Sequence, residues 1–244
     1  MRSGTKSIVI LGGGTAGWIA ANMLAKYWEE RDLDITLVES PDIGIIGVGE
    51  GSTPPLKAFL DGIGVDESDW MSRCDATYKT GITFRNWSTK PGYDEYFHPF
   101  QSQPDDFSVP AFYNNSFLRR EGGDLDGPPS QFFLAWHLAL QRLAPVAPPN
   151  FPFDMKYGYH FNSGLLGQFL QEWAAKKGVK YRQATVTGVA LRNDGYIDHL
   201  QTDTEETIKA DFYVDSTGFR SRLLQEALGV PFENCEDVLF NDSA

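Results

Sequence analysis

"SIVILGGGTAGW", residues 7–18, joins a β-branched apolar run to a glycine triplet and then to helix-forming residues. Ser7 to Leu11 has the composition of a strand buried on both faces of a parallel sheet. Beyond the glycines, Trp18 to Trp28 carries Ala20, Ala21, Leu24 and Ala25 at helical spacing, and Asp34 to Glu39 ("DITLVE") supplies a second strand. Strand, glycine turn, helix and strand within about thirty residues predict a βαβ unit. Inside it, Gly12-x-Gly14-x-x-Gly17 has the spacing a dinucleotide needs. Gly12 permits the tight turn, Gly14 lets the backbone approach a pyrophosphate, and Gly17 allows close helix–strand contact. The helix amino terminus at Thr15 and Ala16 then offers N–H groups and a partial positive charge to the phosphates. Glu39 ends the second strand, where a carboxylate accepts hydrogen bonds from a ribose. The glycines alone also fit a strand–helix turn without a ligand. The flanking elements and the acid at the expected distance are what point to a dinucleotide.

The bulk of the chain narrows the partners. Its 244 residues are 41% hydrophobic and 22% charged, enough for one sizeable core or two small ones. A formal net charge of −12 argues against nucleic acid or an anionic membrane as partner, because both attract positive surfaces. Cys74 and Cys235 are far apart and form no metal-binding spacing, so each is expected to be a small packing residue and no metal site is expected. The apolar run near the amino terminus is short and breaks at three glycines, unlike a signal peptide or a membrane span. A soluble cytoplasmic protein is expected.

Further along, "GSTPPLKAFL" reads as a helix start, with Ser52 or Thr53 as cap and Leu56, Phe59 and Leu60 on one face. From Trp87 to Phe153 prolines, aromatics and Asp/Gly clusters dominate, and only Gln131 to Leu143 has a regular helical pattern. This is expected to be an inserted segment that packs over something. Asn162 or Ser163 caps a helix carrying Leu165, Leu166, Phe169, Leu170 and Trp173 and ending near Gly178. Thr185–Leu191 and Tyr196–Leu200 flank "NDG", a hairpin signal. Phe212–Asp215 is a last strand, followed by a turn and a helix closed by Gly229. The expected architecture is α/β: a Rossmann-like fold built from residues 1–86 and 154–244, with residues 87–153 inserted as an aromatic, proline-rich substrate-side segment.

Three later stretches bear on the ligand. "FYVDSTGFRS", residues 212–221, resembles the second flavin-contacting motif of the large flavoprotein family, which favours FAD over NAD and implies contacts from Asp215 and Gly218. An ordinary turn with Asp215 as cap fits the same residues. "VGEGSTP", residues 48–54, sets small residues before a helix start and is expected to turn several backbone N–H groups toward a flavin edge, a phosphate or a halide. Glu50 is out of place there unless it points away. "CDATYKTGITFRNW", residues 74–87, holds Lys79 among small, apolar and aromatic residues; by itself a lysine reads as a solvated surface charge.

Together the stretches resemble the flavin-dependent tryptophan halogenase family: "GGGTAGW", "VGEGSTP", "YKTGITFRNW" with Lys79, "FHPF" at 97–100, "YHFNSGLLGQFLQEWA" at 159–174 and "DSTGFRSRLL" at 215–224. The resemblance implies an FAD-binding fold of the glutathione-reductase type, with Gly12, Gly14, Thr15, Ala16, Gly17, Glu39, Val48, Gly49, Glu50, Ser52, Thr53, Asp215 and Gly218 around the cofactor. It implies FADH2 from a separate flavin reductase, dioxygen, and chloride or bromide that attacks a flavin hydroperoxide to give hypohalous acid. Lys79 receives that acid, either hydrogen-bonding it as an ammonium or carrying the halogen as a haloamine. His98 and Phe100 are implied to line the pocket for tryptophan or another indole, against the alternative that both belong to an aromatic cluster folding the insertion on itself. His160 is read as a structural residue beside the following helix. Asn162 stands where the family typically carries Asp. The family usually runs to about twice this length, so the chain is expected to be an amino-terminal portion rather than a protein without the general base that removes the ring proton, with a homodimer as one assembly. A flavin monooxygenase or oxidoreductase without halide, and a non-catalytic FAD-binding module, are the alternative readings.

Overall fold

The computed structural model describes residues 6–43, 49–91 and 93–239. Its strands are β1 (Lys6–Leu11), β2 (Leu33–Glu39), β3 (Gly49–Gly51), β4 (Thr77–Lys79), β5 (Gly81–Arg85), β6 (Glu95–Pro99), β7 (Gly158–Asn162), β8 (Lys180–Gln183), β9 (Val186–Leu191), β10 (Ile197–Thr202), β11 (Thr207–Ile208) and β12 (Phe212–Asp215). The α-helices are α1 (Thr15–Tyr27), α2 (Pro55–Gly62), α3 (Glu67–Trp70), α4 (Val109–Arg120), α5 (Leu134–Gln141) and α6 (Ser163–Lys176). They form two compact units, one from residues 1–47 with 166–244 and the other from 48–165. The composition boundaries at 86/87 and 153/154 both fall inside the second unit.

The first unit is an α/β fold around a parallel sheet ordered β12-β1-β2-β8. Strand alternation gives each face a separate partner. Val9, Leu11 and Val38 join Ala184, Val186, Leu200, Ile208 and Leu223 in one core, formed with the antiparallel sheet β11-β10-β9. Ile10 pairs with Leu37, and Leu37 lies against α1 beside Gly17, so these side chains fill the other face. There the buried Asn22 side chain donates to the carbonyls of Trp18 and Leu170, both at 2.9 Å, tying α1 to α6. The expected β9–β10 hairpin is present, with Gly195 at φ 86° in its turn. β8 was not evident from sequence.

After β12 the expected helix is instead a 3-10 turn at Gly218–Arg220 and a π-helical turn at Arg222–Ala227, in which Leu228 N–H reaches back to Leu223 at 3.0 Å. Gly229 closes it at φ 69°.

The second unit is built on the antiparallel sheet β3-β7-β4 and the hairpin β5-β6. Trp70, Tyr159, Leu60, Ile63, Val65 and Cys74 are buried in its core, and the Trp70 and Tyr159 rings meet edge-on at 4.8 Å. Burial pushes the Cys74 thiol up to about 11, as befits a packing residue. Cys235, in the first unit, is exposed, contrary to expectation. The 87–153 stretch holds a second regular helix besides α5, namely α4. Its organiser is the buried Asp105 carboxylate, which accepts the N–H groups of Ser102 and Leu134, both at 2.7 Å. No helix among the described residues is long and apolar enough to cross a membrane.

Candidate active site

The glycine loop of the first unit has the local shape its spacing predicts. Gly12 sits at φ 114°, and a Cβ there would lie 2.3 Å from the Ser216 carbonyl oxygen. A Cβ on Gly17 would lie 1.9 Å from the Gly12 carbonyl oxygen. A Cβ on Gly14 would meet nothing within 4 Å. Thr15, Ala16 and Gly17 form the first turn of α1, which has neither a side-chain cap nor an acidic residue. The Glu39 carboxylate lies over Gly13, and the Tyr181 hydroxyl donates to its Oε2 at 2.9 Å. That bond is not legible in the sequence, because Tyr181 lies on β8, which the sequence does not reveal.

The Asp215 turn closes against this loop through Ser216. Asp215 Oδ1 accepts the Thr217 hydroxyl at 2.6 Å and its N–H at 3.1 Å, while Oδ2 accepts the N–H groups of Leu223 at 2.7 Å and Leu224 at 3.0 Å. Burial pushes this carboxyl up, but the Thr217 hydroxyl and the three amides outweigh it and hold it below its ordinary value. Asp215 thus braces the turn that follows it. Gly218 follows at φ 63°.

In the second unit, part of the 48–54 stretch is strand β3. Val48 lies outside the described residues. Gly49 to Gly51 pair with β7, the Ser52 N–H donates to the Tyr159 carbonyl at 2.8 Å, and Pro54 and Pro55 carry no N–H. Nor does Ser52 cap α2: its hydroxyl accepts the Tyr159 N–H at 2.9 Å, and α2 begins after Pro54, with no side-chain cap. Thr53 is exposed beside it. The odd carboxylate is accounted for by pleating. Glu50, opposite Phe161, takes the face opposite to Gly49 and Gly51.

The same alternation defines the face that carries Lys79. Registers of Gly51 with His160 and of Lys79 with Gly158 put Gly49, Gly51, His160, Asn162, Thr77 and Lys79 on one side. Lys79 is half-buried. Its Nζ packs over Gly51, 3.0 Å from where a Cβ would be, and lies 5.7 Å from the centre of the Phe100 ring. Phe100 is buried and its N–H donates to the Thr80 carbonyl at 2.9 Å, which fixes it beside the lysine. His98 is exposed on β6, opposite Ile82. A groove of about 650 Å³ elsewhere in this unit is walled by Pro54, Lys57, Asp61, Val146, Phe153 and Tyr157 and does not include Lys79, His98 or Phe100.

The sequence model of the tryptophan halogenase family matches residues 7–244. The chain belongs to the tryptophan halogenase family. It is similar to tryptophan 6-halogenase SttH of Streptomyces toxytricini, with 34% identity over 97% of this chain and 48% of that protein. It is also similar to 7-chloro-L-tryptophan 6-halogenase KtzR of Kutzneria sp. (strain 744), with 37% identity over 97% of this chain and 49% of the relative. The solved structure of Xcc4156, a flavin-dependent halogenase from Xanthomonas campestris, matches with a TM-score of 0.79 at 34% identity, over 95% of this chain and 46% of that one. The chain spans about half the length of the curated relatives it matches.

Two features of this tryptophan halogenase family member escape a reading of its sequence. One is His160, whose ring lies beside Lys79: Nδ1 would be 3.2 Å from the same Gly51 Cβ. Partial burial and then the Lys79 charge lower its pKa from the ordinary 6.5. The expectation that His160 only supports the next helix therefore leaves out its charged neighbour. The other lies on the reverse face. Three phenols converge on Glu67, from Tyr78 at 2.8 Å, Tyr157 at 2.8 Å and Tyr159 at 2.7 Å. Burial, and then the Glu67 hydrogen bond and charge, push Tyr78 up to about 12 and raise the other two as well. Spacing held a partial signal for both: Tyr157 and Tyr159 are two apart, and Tyr78 and Tyr159 directly precede Lys79 and His160.

Proposed function

We propose that this chain is the cofactor-binding and lysine-bearing part of a flavin-dependent halogenase that halogenates tryptophan or another indole-like aromatic. FAD in a glutathione-reductase-type fold is the cofactor, and a separate flavin reductase supplies it reduced. The glycine loop fits the group: the space around a Cβ on Gly14 is empty, which leaves room for a pyrophosphate, and the first turn of α1 carries no side-chain cap to compete for its N–H groups. Glu39, steadied by Tyr181, would hold a ribose hydroxyl, and Asp215 would hold the Ser216–Gly218 turn against Gly12. When bound, reduced FAD supplies the electrons with which dioxygen and a chloride or bromide ion yield hypohalous acid. Residues 87–153 take the substrate-side role and the rest of the chain the FAD-binding role.

Lys79 carries the reading. Its nitrogen is packed over a glycine and beside an aromatic ring, not extended into solvent. There the amine or ammonium receives hypohalous acid and presents electrophilic halogen to the ring of the substrate, with Phe100 and His98 as its pocket residues. The test is incubation of the intact protein with FAD, a flavin reductase, NADH, bromide and a panel of indoles, with products followed by mass. Lys79→Ala is expected to abolish halogenation and leave FAD affinity within about threefold, since the glycine loop that binds pyrophosphate is elsewhere in the chain. Unimpaired bromination by that variant removes Lys79 from the mechanism.

A further inference from the structure

The face of the β3-β7-β4 sheet that carries Lys79 sets a second nitrogen base beside it. A methyl group added at Gly51 would touch both Lys79 Nζ, at 3.0 Å, and His160 Nδ1, at 3.2 Å, so the glycine leaves the two side chains a shared space. We propose that His160 is the proton acceptor for Lys79, taking a proton from its ammonium as Nζ bonds to the halogen of hypohalous acid. This rests on the halogenase reading and extends it to a residue that reading does not use.

The haloamine route requires such a group. An ammonium has no lone pair, so an N–halogen bond at Nζ forms only as a proton leaves. The imidazole takes that proton, the nitrogen pair forms the N–halogen bond, and the halogen–oxygen bond breaks. The departing hydroxide then takes the proton back from the imidazolium as water. The ammonium and hypohalous acid are thereby converted to a halo-ammonium and water, with charge conserved and His160 regenerated. A base titrating near the operating pH is suited to this step. Burial and the adjacent ammonium both favour the neutral, proton-accepting form of His160. Within the sheet, Lys79 is the charged neighbour on this face: Gly49, Gly51, Thr77 and Asn162 do not titrate, and Glu50 is on the opposite face.

The proposal is tested by titration and by kinetics on the intact protein. The His160 imidazole resonance, followed by NMR from pH 5 to 9, is expected to titrate below the ordinary histidine value of 6.5. It should move up in either neutral variant, Lys79→Met or Lys79→Gln. Identical titration in wild type and variants overturns the pairing, whether or not the wild type halogenates. In the bromination assay, His160→Gln is expected to lower kcat about a hundredfold, with KM for the indole within about twofold. The wild-type rate should fall at acid pH with the His160 titration, and that fall should vanish in His160→Gln. A variant with wild-type kcat and pH profile overturns the proposal. A wild type that halogenates no indole overturns the functional reading, and the titration then decides the proton pairing by itself.

Discussion

Gly14, just before α1, and Gly17, in its first turn, stand three positions apart and answer to different constraints. Gly17 is required by packing: its Cβ would overlap the Gly12 carbonyl oxygen at 1.9 Å, with Leu37 behind it at 3.5 Å. Gly14 is at φ −68° and ψ 177°, a conformation any residue adopts, with nothing near its missing side chain. Gly17→Ala is therefore expected to destabilise the fold by about 1–3 kcal/mol, an overpacking cost, and to lower the melting temperature by several degrees. Gly14→Val should leave melting nearly unchanged yet weaken FAD binding about tenfold or more, because it obstructs the approach of the pyrophosphate. Thermal denaturation and flavin-fluorescence titration separate the two effects, and a Gly14→Val protein with full flavin affinity would show that this loop is not the cradle. The spacing of the three glycines is legible in the sequence because each constraint is local. What each one touches is not.

Among the elements, the sheet β3-β7-β4 carries ionisable side chains on both faces, and Glu67 anchors the reverse one. Because the folded state raises Tyr78 from 10 to about 12, the neutral phenol is favoured by folding. Its contribution is complete below pH 10 and is lost as pH rises toward 12; Tyr157 and Tyr159 act in the same direction. Absorbance titration should thus show a late-ionising group of tyrosines whose ionisation coincides with alkaline unfolding. Glu67→Gln, which removes the carboxylate charge, should shift that ionisation to lower pH; an unchanged curve would mean that burial alone sets it. Helix α4 illustrates why an element can go unread. Val109, Phe112, Tyr113 and Phe117 recur at helical spacing, but Pro110, Asn114, Asn115 and Ser116 interrupt them, and none of the helix's residues is buried. Its punctuation was nevertheless present, with Pro110 in the first turn, Arg119 and Arg120 in the last, and Gly122–Gly123 beyond.

For the whole molecule, charge is the property composition settles without a fold. A net charge of −12 and an isoelectric point near 4.7 predict focusing close to that pH and no retention on duplex DNA at about 0.15 M salt. Retention would point to a cationic surface that the totals conceal. The sequence by itself determined the βαβ start, the glycine spacing, the β9–β10 hairpin and the family, because each is written in turn chemistry or side-chain period over a short span. Tertiary structure alone decided that β12 lies beside β1, that β8 extends the sheet, and that Tyr157 and Tyr159, some ninety residues on, meet Glu67. It also decided that His160 faces Lys79. Strand pairing brings such groups together, and a local pattern records which face a residue takes but not which distant strand will lie next to it.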